Sequence, residues 1–291
     1  MRKPRGGPGE FGRRLARAQR VASTPGAREP LAVLCAVLGH QGVRASDPTV
    51  TAAAALTTAA AEQRRAANRF PLLDLPAAVD QIAAEVPRAA DALLAPGGPT
   101  VPEPLASAGQ QLAGAPDAEL QAQTERWLED PTWVEPRSAF WIGVAAGPIL
   151  ELGAAVATVP PRNEWIGAAC PVCGGTAQVS VIAEETGEFM AGSPRSLVCG
   201  RCATWWAFAR ATCVACGEAQ PQRLGSYVAE GMPWARIDAC NTCHGYVKTF
   251  DLRQDGAVDL VPLVEDTATV ALDLWASDQG FHRPVRSLAG V

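Results

Sequence analysis

CPVCG at residues 170–174, CGRC at 199–202, CVACG at 213–217 and CNTCHG at 240–245 decide how this chain is read, and together they hold eight of its nine cysteines. A two-residue spacer lets one tight turn aim both sulfurs at a single ion. A glycine directly after the second cysteine suits a turn whose backbone amides face the thiolates. Gly174 and Gly217 stand at that position, Gly245 stands one residue later, and Cys202 is followed by Ala203, which predicts a looser turn for the second pair. The pairs also repeat: Cys170 to Cys213 spans 43 residues and Cys199 to Cys240 spans 41. A unit of cysteine turn, hairpin, cysteine turn and strand therefore occurs twice. Within the units the pairs are 25 (174–198) and 23 (217–239) residues apart, and only 10 (203–212) lie between the units.

The simplest assignment is two tetrahedral four-cysteine sites, Cys170/Cys173/Cys199/Cys202 and Cys213/Cys216/Cys240/Cys243, in two rubredoxin-like or zinc-ribbon modules. An interleaved pairing, second pair with third and first with fourth, is the alternative. Each module has about 40 residues, too few for its own apolar core, and metal binding supplies folding free energy of order 10 kcal/mol in such units. The expected cofactors are thus two metal ions, and all-thiolate tetrahedral sites suit iron and zinc alike. A closed four-thiolate shell leaves no position for a substrate, which speaks against hydrolytic metal catalysis, whereas an iron site can still pass one electron.

Outward from the cysteines, Val179–Ile182, Thr204–Phe208, Leu224–Ala229, Trp234–Ile237 and Tyr246–Phe250 are short, β-branched or aromatic, and bounded by Gly and Pro, as strands are. Val264, Ala268, Ala271, Leu274 and Trp275 then recur at helical spacing, with Asp266 as the expected cap and Gly280 as the stop. Upstream, Thr24 to Val159 is rich in Ala and Leu. Helices are expected over Thr51–Asn68, over Ala77–Leu94 with an interruption near Pro87, over Ala118–Leu128 behind an Asp117 cap, and over Ser138–Leu152 with a kink at Pro148. Near Pro160-Pro161 the character changes. The fold class is therefore α+β: an α-helical N-terminal domain over 24–164, rubredoxin-like modules over 165–210 and 211–262, and a C-terminal helix and tail over 263–291. Residues 1–23, with Arg2, Lys3, Arg5, Arg13, Arg14, Arg17 and Arg20, are expected to be a basic, disordered arm.

The 291 residues are 48% hydrophobic and 19% charged, so the chain folds, and its net charge of −5 offers a polyanion no global attraction. From Trp165 to Phe250 six basic residues face six acidic ones, which argues against a zinc-ribbon nucleic-acid binder. No apolar run of 18 residues is free of charge, so no membrane insertion is expected, and the Arg13-Arg14 pair lacks the apolar region an export signal needs. The expectation is a cytoplasmic protein whose thiols stay reduced and free for metal. Trp127, Trp133 and Trp141 read as helix-packing anchors and Trp205, Trp206 and Trp234 as roofs of the small modules. His244 has no vacancy to fill beside Cys243, His40 and His282 are isolated, and Cys35 reads as a free buried thiol. No nucleophile triad or phosphate loop can be assembled, so neither catalytic nor cofactor-binding side chains are expected.

CPVCG, SLVCGRCATWWAF, CVACGE and ACNTCHGYVKTFDL, followed by VEDTATVALDLWASDQGF, resemble the formate dehydrogenase accessory protein family, FdhE, closely over Trp165–Arg283 and more loosely at RFPLLDL, residues 69–75. The resemblance implies a non-catalytic maturation factor of the cytoplasm. Such a protein has a helical N-terminal part and two rubredoxin-like modules, and binds the catalytic subunit of a respiratory formate dehydrogenase. The metal residues it implies are the same eight cysteines. An iron rubredoxin-like redox protein is the alternative that the thiolate sites keep open.

Overall fold

The computed structural model describes residues 8–98, 100–183, 195–254 and 259–286. Among the described residues its N-terminal half is a layer of eight α-helices: α1 (Pro8–Val21), α2 (Arg28–Arg44), α3 (Pro48–Thr58), α4 (Ala61–Ala66), α5 (Val79–Leu93), α6 (Glu103–Ala113), α7 (Asp117–Glu129) and α8 (Pro136–Val156). The alanine-rich composition builds them, and side-chain oxygens start two: Asp47 accepts from the Thr49 N–H ahead of α3, and Glu135 accepts from the Arg137 and Ser138 N–H groups ahead of α8. The single helix expected over 51–68 is two. The Thr57 carbonyl accepts the N–H of Asp74 (2.8 Å) from the returning chain, and α3 ends there.

The centre of the layer is α8, among the described residues the one helix long and apolar enough to cross a membrane; Trp141, Ile142, Val144, Ile149 and Leu150 are buried in the core. It runs unbroken through Pro148. Proline has no N–H to give the carbonyl four residues earlier, that of Val144. The Gln41 side-chain amide of α2 donates to it instead (3.0 Å). Gly147 allows this approach, since a Cβ there would collide with the Gln41 amide.

The basic N-terminal stretch, expected as a disordered arm, is from Pro8 to Val21 the helix α1; residues 1–7, with Arg2, Lys3 and Arg5, lie outside the described residues. Two of its arginines meet buried carboxylates: Arg14 bonds Glu151 of α8, and Arg17 bonds Glu265 (2.6 Å). Phe11 is wholly buried on the same face. A face that pairs its charges and buries an aromatic ring does not stay in water.

The C-terminal half contains β1 (Ala177–Ile182), β2 (Arg195–Cys199), β3 (Trp205–Phe208), β4 (Leu224–Val228), β5 (Ala235–Cys240), β6 (Tyr246–Asp251), α9 (Pro262–Ala268) and α10 (Val270–Asp278). The α+β class stands, and the two three-stranded units share one sheet, in the order β3-β2-β1-β6-β5-β4. Inside each unit the pairing is antiparallel, and the units join through the parallel pair of β1 and β6, with Val179 opposite Lys248 and Val181 opposite Phe250. A shift of register between Ala177 and Val179 sends the first toward the helical layer and the second to the opposite face. Leu197, Trp206 and Val247 pack against the helices, while Val179, Ile237 and Phe250 pack against Leu272 and Ala276 of α10. The closing helix is divided at Thr269, whose own hydroxyl bonds the Glu265 carbonyl (2.7 Å).

Candidate metal centres

All four cysteine turns are built alike. The N–H of each leading cysteine donates to the carbonyl five residues on: Cys170 to Gly175, Cys199 to Thr204, Cys213 to Glu218 and Cys240 to Gly245, at 2.8–2.9 Å. The residue after each second cysteine is left-handed: Gly174 (φ 73°), Ala203 (55°), Gly217 (76°) and His244 (57°). Ala203 therefore keeps the same turn, and the looser geometry expected of the second pair is not found. In the fourth pair His244, not Gly245, takes the left-handed place. Its ring faces Phe281 (6.3 Å between centroids), outside the sulfur group.

The structure gathers the cysteines as Cys170/Cys173/Cys199/Cys202 and Cys213/Cys216/Cys240/Cys243, with all sulfurs of a group within 4.8 Å of one another. This is the sequential grouping; the interleaved one is not formed. Across the pairs the Sγ atoms stand 3.4–3.7 Å apart. A tetrahedral ion with metal–sulfur bonds of about 2.3 Å sets its sulfurs about 3.8 Å apart, so both groups fit one. Backbone N–H groups of Arg201, Ala215 and Gly245 point at Cys199, Cys213 and Cys243 Sγ (3.3–3.4 Å), as they do toward anionic sulfur. Burial alone pushes the Cys199 thiol up, but hydrogen bonds from Cys170, Cys173 and Cys202 outweigh it and hold the group well below the ordinary thiol range. Burial and the neighbouring sulfurs push Cys170 and Cys202 up. Cys240, at the same place in the second unit, is pulled down to about 7 against its burial by the Cys243 and Thr242 N–H groups, while Cys243 is pushed up to about 12. A divalent cation that recruits these thiols as thiolates releases their protons. Zinc held there is structural; iron adds one-electron chemistry.

The two groups differ in their surroundings. The first is wholly buried. Its leading turn hangs on residues 69–75: the N–H groups of Leu72 and Leu73 donate to the Pro171 and Val172 carbonyls (3.0 and 2.8 Å). Its second turn is pinned by Arg201, which donates to the Trp127 and Leu128 carbonyls at the end of α7 (2.7 and 2.8 Å) and lies 4.9 Å over the Trp127 ring. Trp206 donates to the Gly167 carbonyl (3.1 Å). In the second group Cys216 is exposed and Cys243 half-buried.

Beside the sheet lies a charged cluster that the sequence did not reveal. Lys248, fully buried, meets Asp266 and Asp273; Arg283 bonds the same two carboxylates (2.9 and 3.1 Å), Gln178 donates to Asp266 (2.8 Å) and Tyr246 to Asp273 (2.8 Å). Burial raises Asp266, yet the charges of Arg283 and Lys248 outweigh it and hold the carboxyl at about 2. Asp266, expected as a helix cap, instead sits inside α9 and points at the sheet. The one available signal was a lysine between the apolar Val247 and Phe250 of a short strand, answered by two aspartates seven residues apart. Of the tryptophans, Trp127, Trp141, Trp205 and Trp206 are buried as expected, and Trp133 is 55% exposed because it lies in a short turn outside the helices it was expected to anchor. Cys35 is half-buried, and burial pushes its thiol up. His40 sits in α2 and His282 beside Gly245, and neither belongs to a sulfur group.

Against known proteins, residues 211–288 match the family described as "FdhE, C-terminal domain". The chain resembles FdhE. It is 39% identical over 129 residues to "Protein FdhE homolog" of Aquifex aeolicus (strain VF5), which is 44% of each chain. It is 34% identical over 120 residues to the homolog of Pseudomonas putida, covering 40% of this chain and 36% of that one. The aligned region thus spans less than half of these relatives' length. A crystal structure of the FdhE protein from Pseudomonas aeruginosa superimposes with a TM-score of 0.67 over 99% of this chain and 97% of that one at 21% identity, so the FdhE-like fold extends through the helical layer.

Proposed function

We propose that this chain is an accessory protein that binds the catalytic subunit of a respiratory formate dehydrogenase in the cytoplasm and is needed for that enzyme's activity or assembly. The observation that carries the reading is the match of the second cysteine unit and closing helices to the FdhE C-terminal domain, on a chain whose whole fold is FdhE-like. The eight cysteines are its metal ligands. Four sulfurs per ion leave no position for a substrate, which supports a binding role over a catalytic one. Deleting the protein is expected to abolish formate dehydrogenase activity while the catalytic subunit is still synthesised, and the purified chain is expected to capture that subunit. Normal activity without the protein would overturn the reading.

An iron-based electron carrier is the second reading, favoured by one observation: Cys216 opens the second group to solvent. Purification without oxygen, followed by metal analysis and an absorption spectrum, separates the two. About two colourless zinc ions per chain support a scaffold; about two iron atoms with thiolate-to-iron bands support electron transfer.

A further inference from the structure

A six-stranded sheet has two edges, and this one treats them differently. At the first, Trp205, Trp206 and Phe208 of β3 are buried. At the other, Ser226, Tyr227 and Val228 of β4 are exposed, and among the described residues no backbone bond of 225–228 to anything beyond β5 is formed, the Leu224 N–H alone turning back to the Pro221 carbonyl. Proteins guard such edges with lysine, proline or inward charge. The sequence LGSYV has none of these.

The internal repeat says what belongs there. Ala177 of β1 lies opposite Cys199 and Leu224 of β4 lies opposite Cys240, so β1 and β4 hold the same place in their units. On its outer side β1 receives β6 as a parallel strand; the same side of β4 is open. A second copy does not supply the missing strand, because its β3, the repeat counterpart of β6, is buried in its own chain. Beside the open edge Tyr227 folds over Gly225 and meets Trp275 (5.1 Å) and Phe281 (6.1 Å), the latter also facing His244 next to the second sulfur group. Tyr227 and Trp275 are 39% and 37% exposed.

We infer that the outer edge of β4 takes an extended segment of the client polypeptide, added parallel to β4 as β6 is to β1, with apolar side chains at the alternate positions that face Tyr227 and Trp275. The backbone supplies affinity and the aromatic pair selects the side chains. This rests on the client-binding reading above, and the experiment separates them. The catalytic subunit, and 15-residue peptides tiling it, are titrated against the full chain and against Tyr227→Lys/Val228→Lys, whose metal content and melting are checked first. Affinity is expected to fall about tenfold or more in the variant. Amides of 224–228 in the wild-type chain are expected to gain exchange protection when the client binds, a readout that stands even if the variant fails to fold. Client binding with no protection of these amides and no loss in the variant overturns the inference and leaves the functional reading intact. Failure of the wild-type chain to bind the subunit or any peptide overturns both. A dimer of the free chain that the two lysines dissociate assigns the edge to a second copy and overturns the inference alone.

Discussion

Two of the four left-handed residues that close the cysteine turns are not glycine. Ala203 carries roughly 1 kcal/mol of conformational cost that glycine escapes, so Ala203→Gly is expected to stabilise the metal-loaded chain by up to about 1 kcal/mol, seen as a higher denaturation midpoint. No change or a loss would show that the Ala203 methyl earns its place by packing. Gln41 shows a residue whose task no pattern announces. It stands in place of the N–H that Pro148 lacks, and Gln41→Leu, which leaves the Val144 carbonyl buried and unpaired, is expected to cost about 1–3 kcal/mol in chemical denaturation. The cysteines were legible because metal chemistry fixes residue type and spacing together. Gln41 was not, because its partner lies 103 residues away.

The strands and helices were read from apolar periodicity, and five of the six strands lie where it places them. The sixth, β2, runs straight into the cysteine turn, which cuts its pattern. What periodicity cannot show is which polar residue of an element turns inward. Lys248 of β6 binds α9 and α10 to the sheet through Asp266 and Asp273. Lys248→Met leaves two buried carboxylates sharing Arg283 and is expected to lower stability by about 3 kcal/mol or more. Adding Asp273→Leu should recover a good part of that loss, since a missing ion pair costs less than a widowed charge. If the single change costs under about 1 kcal/mol in denaturant unfolding, the cluster is not what holds the closing helices.

Across the whole molecule, the two sulfur groups differ in exposure: the first is wholly buried, whereas Cys216 of the second is exposed. A chelator is expected to withdraw the metals in two phases of one ion each, separated about tenfold or more in rate, because only the second group opens without disturbing the core. Cys216→Ser should abolish the fast phase and leave the helical signal intact, whereas Cys173→Ser should weaken the fold itself. One phase carrying both ions would show that the groups open together. That contrast was not in the cysteine spacings, which are nearly identical in the two units; it comes from residues 69–75 and the end of α7 reaching across to the first unit alone. The parallel pair of β1 and β6 carries one more consequence. The stretch recognised as a domain, 211–288, begins after β1, so a protein cut at that boundary would keep β6 and lose the strand that covers it. The segment that matches the family is thus smaller than the sheet it belongs to. Anyone expressing the shorter piece should expect a sticky strand, not a tidy domain.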